Sequence, residues 1–292
     1  MFKTTVRVPG SCGELAQGII DDVNFLISCP IDMYSMITIK LNSNHKFIVD
    51  DNLEKSRIAL QNTLDYYNRG DLGGVIEKES PLLIGQGMGS STADMIGVIA
   101  GVMKVLNYDI NLEVIKNIVL SIEPSDCTFL PGINIFDHKN GNLQEYIGEP
   151  PEIDLLIFSE PGEINTKKFN QQKELYKLKK SKESTVKKAV EYIKKGIRTG
   201  NRNLIGKGTT LSSIAHQNVL FKPSLNNIIN LIDDLSGVYG VNIAHSGTLI
   251  GLLVNPKLCW HSLIDEIIKE NPQLNFIIRA TLISGGIQII NT

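Results

Sequence analysis

The sequence carries no surplus of either charge: Lys and Arg total 29 against 31 Asp and Glu, a formal net charge of −2. Such balance provides no overall field for nucleic acid or an anionic membrane, so a phosphate-bearing partner has to be held by a local site. Cysteine is scarce. Cys12, Cys29, Cys127 and Cys259 show neither CxxC spacing nor a dense framework, which argues against a zinc site and a disulfide scaffold and leaves them as reduced thiols. Long apolar runs are missing too. The start, MFKTTVRVPG, has no apolar core of the signal-peptide type, and residues 95–103 are too few to span a bilayer before Lys104. The expectation is a soluble, cytoplasmic protein without internal repeats or low-complexity tracts. Its 292 residues, 42% of them hydrophobic, suffice for a sizeable core and for two domains of ordinary size.

Hydrophobic periodicity predicts a mixed chain. Residues 3–8 and 34–41 alternate apolar and polar side chains and read as strands, with "PGSCGELAQG" (9–18) in the first connection. Residues 53–68 have helical spacing with Gly70 as a stop, and Val75 and Ile76 begin a short strand. A helix over about 92–106 is studded with Ala and Gly, which permits close packing, and another over 111–122 is stopped by Pro124. Strands follow at 133–136, 143–146 and 154–158. The lysine-rich stretch 173–195 reads as a helix with a solvated basic face and a buried stripe of Leu175, Leu178, Val186, Val190 and Ile193. Helices near 201–213, 224–236 and 257–270 then alternate with short strands near 241–244, 249–254 and 275–283. The character of the chain changes around 159–168, which predicts a domain boundary near 156–166 and a smaller α+β domain beyond it.

The stretch "GQGMGSSTADMIG" (85–97) sets three glycines at alternate positions ahead of a helix. Without Cβ atoms, Gly85, Gly87 and Gly89 let several amide N–H groups converge on one anion. Ser90, Ser91 and Thr92 then fall at a helix N-terminus, where the dipole favours negative charge and hydroxyls can cap the helix or meet a metal. A phosphate cradle and simple capping both fit these residues. A Walker loop does not, because no lysine follows Gly89. A dinucleotide fingerprint fits poorly, since the third glycine comes one place early and Asp109 lies in a turn-like context.

Read with its neighbours, the turn resembles a known family. "PLLIGQGMGSSTAD" is similar to the phosphate-binding motif of the GHMP small-molecule kinases, with Met88 for the usual Leu and Thr92 for the usual first Ala. "VPGSCGELAQG" (8–18) resembles the N-terminal substrate motif in the form seen in the L-threonine kinases of cobalamin synthesis. "IEPSDCTFLPGINIFDH" (122–138) resembles the segment bearing the catalytic-region aspartate, and "GVNIAHSGTLIGLLV" (240–254) the C-terminal glycine motif. The four stand in the family's order and span most of the chain.

The resemblance implies an α+β GHMP kinase fold: a ribosomal protein S5 domain 2-like domain over residues 1–158, a ferredoxin-like domain over 159–292, and the active site between them. It implies ATP as co-substrate with Mg²⁺, and L-threonine phosphorylated on its hydroxyl. Gly85, Gly87, Met88, Gly89, Ser90, Ser91 and Thr92 would hold the nucleotide phosphates. Ser91 would carry the metal, with Glu123 as a second ligand and Glu113 as the other candidate. Asp126 would be the general base or polarising group, where an ordinary turn aspartate is the alternative. Glu14 would meet the substrate ammonium, with Ser11 and Gln17 completing the pocket and His245, Ser246 and Gly247 closing its far wall. Asp137 and His138 read as a turn or surface pair without chemistry. Partners are confined to ATP and a small hydroxy amino acid, with no nucleic acid or membrane and a homodimer as a possible assembly. Homoserine or another small alcohol as acceptor, and an ATP-binding sensor without turnover, stay open.

Overall fold

The computed structural model describes residues 2–48, 53–162 and 174–290. Two long strands open the chain: β1 (Phe2–Ile20) and β2 (Val23–Asn42) pair antiparallel from Phe2 opposite Leu41 to Ile20 opposite Val23. The segment 9–18, expected as a connection, therefore lies inside β1. Register shifts between Pro9 and Ser11, Ser11 and Glu14, and Glu14 and Ala16 break the two-residue alternation by which a strand is recognised. Its small residues serve close approach instead, for a Cβ on Gly13 would sit 2.6 Å from the Ala244 amide.

Next come β3 (Phe47–Ile48), α1 (Glu54–Tyr66), β4 (Gly73–Glu79), α2 (Ser90–Val105) and α3 (Leu112–Ile122). Helix α2 is buried on nearly every side, between the sheet, α1 and α3, so its sequence is apolar all round instead of striped. A Cβ on Gly97 or Gly101 would lie 2.6 Å from the side chain of Ile37 or Ile39, which is why the helix is studded with small residues. Each of its buried Met95, Ile96 and Ile99 is worth roughly 1.5–3 kcal/mol relative to exposure. Asn111 caps α3, its side chain accepting from the amides of Glu113 and Val114 at 3.1 and 3.2 Å.

Strands β5 (Ile133–Phe136), β6 (Gln144–Gly148) and β7 (Asp154–Ser159) follow. Beyond them lie α4 (Leu175–Lys180), α5 (Glu183–Thr199), α6 (Arg202–His216), α7 (Leu225–Ile232), β8 (Val238–Ile243), β9 (Leu249–Val254), α8 (His261–Glu270), β10 (Asn275–Thr281) and β11 (Gln288–Ile290). The lysine-rich stretch is thus two helices. Leu175, Val186, Val190 and Ile193 are buried as expected, while Lys180 and Lys187 form surface ion pairs with Asp21, Asp22 and Glu183. Residues 163–166 of the expected boundary, and the expected helix start at residue 173, lie outside the described residues.

Among the described residues one sheet has the order β10-β7-β9-β8-β1-β2-β4-β3, with β11 beside β1 and β5 beside β2 and β6. The β1–β8 link is a single pair, Glu14 opposite Ile243. One core cluster joins both halves of the chain through Val6, Phe25, Ile99, Leu155, Val190 and Leu253. Another lies against the C-terminal strands around Phe158, Ile228, Val241 and Ile264. No helix among the described residues is long and apolar enough to cross a membrane.

Candidate active site

The glycine turn is held by its carbonyl groups. Ser11 N donates to Met88 O at 2.9 Å and Gly13 N to Gly87 O at 3.2 Å, while Thr248 N and Leu249 N donate to Gln86 O at 2.8 and 3.2 Å. The bulged part of β1 and the turn after β8 therefore fix the loop from two sides. Gly87 has φ +103°, and a Cβ there would run into the Ala244 methyl. Gly89, at φ +65°, is the N-cap residue of α2. None of the hydroxyls of Ser90, Ser91 and Thr92 caps the helix, so the amides of its first turn lack the partners a capping side chain would give. The Ser90 hydroxyl is itself buried without a hydrogen-bond partner.

These groups form one wall of a cavity of about 400 Å³. Gly85, Gly87, Met88, Gly89, Ser90, Ser91 and Thr92 line it, so the whole expected phosphate-binding set is brought together. Glu123 and Asp126 reach it from the segment after α3, Glu14 from β1, and His245 and Ser246 from the turn after β8. Ser91 Oγ donates to Glu123 Oε1 at 2.6 Å, and Lys55 Nζ pairs with Glu123 Oε2 at 2.6 Å.

Asp126 is half-buried and opens on the cavity, with Ser11 Oγ donating to its Oδ2 at 3.5 Å. Burial, then repulsion from Glu123, pushes its carboxyl up to about 6, against a smaller opposing effect of the Ser11 hydrogen bond. Glu14 is buried, and its Oε2 accepts from His245 N at 2.5 Å. Burial and then Asp126 raise its pKa well above the carboxylate range, against the pull of Lys222 and Lys179. Both lysines are buried. Lys179 Nζ meets His245 Nε2 at 2.8 Å, and Lys222 donates to Gly247 O. Burial and Lys139 push Lys179 down to about 7, and burial pushes Lys222 down to about 8. Two acids thus face the cavity with the buried amines of Lys179 and Lys222 behind them.

Several expected residues lie elsewhere. The Gln17 amide donates to Ile243 O at 3.3 Å and does not line the cavity, because the bulges turn it toward β8. Gly247 packs behind the loop against Gln86. Glu113 is exposed on α3 and paired with Lys116 at 2.6 Å, away from the cavity. The Asp137 carboxylate accepts from the amides of Lys139, Asn140 and Asn142, so it builds a turn as expected. His138, in contrast, is buried and lines the cavity, because the turn that Asp137 makes folds its neighbour inward. Lys55, Lys179 and Lys222 escaped sequence reasoning. Of these only Lys179 carried a signal: it falls four residues after the buried Leu175, on the apolar face of its helix.

Chemically, free helix amides and a buried hydroxyl suit an anion, and Asp126 suits a proton acceptor. Ser91 Oγ and the Glu123 carboxylate are adjacent hard oxygen donors. Among the described residues no cluster of three or more His, Cys, Asp or Glu could hold a metal by itself. A divalent cation here would draw further oxygens from a bound molecule, as Mg²⁺ does with phosphates.

No family model matches the chain. The L-threonine kinase of Salmonella typhimurium is 31% identical to it over 256 residues, which are 86% of this chain and 83% of that protein. The L-threonine kinase of Citrobacter freundii is 29% identical over 254 residues, 85% of each chain. Among solved structures, homoserine kinase from Cytophaga hutchinsonii superposes with a TM-score of 0.72 at 15% identity, covering 99% of this chain and 98% of its own. That likeness concerns the fold.

Proposed function

The chain belongs to the GHMP kinases, in the family of the L-threonine kinases, ATP-dependent phosphotransferases acting on an alcohol, and from that premise we propose that it phosphorylates the hydroxyl of L-threonine. The product would be O-phospho-L-threonine, destined for the aminopropanol linker of cobalamin. One observation carries the reading: uncapped first-turn amides of α2 and the unpartnered Ser90 hydroxyl stand at a cavity that also holds Asp126 and Glu14.

The ATP phosphates would lie against the amides of residues 85–92, which replaces hydration with fixed donors in a water-poor site. Ser91 and Glu123 would hold Mg²⁺, which when bound neutralises phosphate charge and polarises the transferring group. Lys55, now paired with Glu123, would swing its ammonium toward the nucleotide. Asp126 would accept the proton of the threonine hydroxyl as that oxygen attacks the γ-phosphorus. A carboxyl pushed up to about 6 is ionised at pH 7 and still basic enough to share a proton in the transition state. Glu14 would take the substrate ammonium, relieving the repulsion between the two acids. Ser11 would steady Asp126, and His245 and Ser246 would close the wall. The same reading assigns these groups to an N-terminal domain, 1–158, and a C-terminal one, 159–292, in a cytoplasmic enzyme.

ADP release with Mg·ATP against L-threonine, L-serine, L-homoserine, mevalonate and galactose tests it. A clear preference for L-threonine is expected. Preference for L-homoserine would reassign the acceptor, and ATP binding without turnover on any of them would favour a sensor.

A further inference from the structure

His138 is 2% exposed, lines the cavity, and has no hydrogen-bond partner for either ring nitrogen. The Asn24 backbone lies near the ring and favours its protonated form, a pull that burial outweighs. Among the described residues it is the one side chain with two buried, unsatisfied polar atoms. Buried polar groups are ordinarily hydrogen-bonded, and leaving one unsatisfied is costly. Its backbone is fixed in the site, with Ser125 N donating to His138 O at 3.0 Å, one residue before Asp126.

The surroundings indicate which ligand group would satisfy it. Its ring lies 5.2 Å from that of His245 in an edge arrangement, and Lys179 meets His245 at 2.8 Å. Burial, then Lys179 and Lys139, hold the His138 imidazole neutral, so it carries one N–H donor and one acceptor. The acids Glu14 and Asp126 occupy the same cavity. The one cavity therefore offers an imidazole N–H with lysine side chains near it, together with two carboxyl groups. A zwitterion matches both.

Resting on the L-threonine reading above, we propose that His138 recognises the substrate carboxylate and thereby separates a hydroxy amino acid from a plain amino alcohol. The imidazole N–H donates to a carboxylate oxygen, Lys179 balances its charge from behind His245, and Glu14 holds the ammonium. The hydroxyl is then left for Asp126.

The test compares L-threonine with (R)-1-amino-2-propanol, which keeps the hydroxyl and ammonium and lacks the carboxylate. One charge-assisted hydrogen bond corresponds to a preference of about 10- to 100-fold in kcat/KM for L-threonine in the wild type. In His138→Phe that preference falls by the same factor, chiefly through KM for L-threonine. His138→Gln, which restores an N–H donor, recovers part of it. Calorimetry of Mg·ATP binding and near-UV circular dichroism verify the fold, and if the Phe variant fails to fold, the wild-type ratio and the Gln variant decide. Equal turnover of both compounds by the wild type, or an equal loss on both in the variants, overturns the role of His138 while the kinase reading stands. Absence of turnover on every amino acid overturns both.

Discussion

Replacing Asp126 by Asn should make the protein more stable and nearly inactive. The carboxyl is pushed from its usual 3.8 up to about 6, and each tenfold change in proton affinity is worth about 1.4 kcal/mol, so ionising it in the folded state costs about 3 kcal/mol. Because the carboxylate opens on the cavity, water there screens part of this, and a gain of about 1.5–3 kcal/mol is expected for Asn. The sign follows from proton binding. Between pH 4 and 6 the folded protein holds this proton more tightly than the unfolded chain, so wild-type stability falls as pH rises through that window. The advantage of Asn is therefore full above pH 6, about half at pH 5 and absent near pH 3.8. Urea unfolding of both proteins with EDTA, at pH 5 and pH 8, measures it. In parallel, kcat should drop by about 10²–10⁴ with the Kd for Mg·ATP kept, and wild-type kcat should rise with pH through about 6. An Asn variant no more stable than wild type at pH 8, or a stability difference that ignores pH, would refute the claim that this carboxylate is held strained for use as a base.

Glu14→Gln should raise KM for L-threonine about tenfold or more, with little effect on an acceptor lacking an ammonium, since a charge-assisted hydrogen bond is removed; equal effects on both acceptors would take Glu14 out of the ammonium site. Gly87→Val adds a side chain at φ +103° against Ala244 and should cost about 1–3 kcal/mol in denaturant unfolding while abolishing ATP binding by calorimetry. Retained ATP affinity would mean the loop is not the cradle. Ser91→Ala should shift the Mg²⁺ concentration for half-maximal activity upward by about tenfold or more, and an unmoved Mg²⁺ titration would leave Ser91 as a partner of Glu123 alone.

Much of the site was legible before any coordinates, but unevenly. The turn at 85–89 was readable because positive φ and close approach leave glycine as the residue that fits, and this signal is local. Helices α2 and α3 are readable from local signals as well, α2 from its run of small and apolar residues after the glycine turn and α3 from its periodicity and the Asn111 cap. The inner part of β1 was missed because its bulges destroy the alternation that betrays a strand. Gln17 was placed in the pocket by its position in a motif, whereas a one-residue register shift decides which face a strand residue takes. In the sequence His138 reads as half of a turn or surface pair because it sits beyond a strand, yet it is buried. Its burial depends on segments from both halves of the chain.

By itself, then, the sequence determined the glycine turn and the order of the motifs, and through the family resemblance those motifs carry it singled out Asp126 as a candidate base and Glu14 as a candidate ammonium partner. Only the tertiary structure decided that β1 and the turn after β8 clamp that loop, that Lys55, Lys179 and Lys222 join the site, and that His138 faces the cavity unpartnered. Burial and electrostatic coupling are properties of what the rest of the chain brings alongside a residue. Glu14 and His245 are 231 positions apart along the chain and 2.5 Å apart in space.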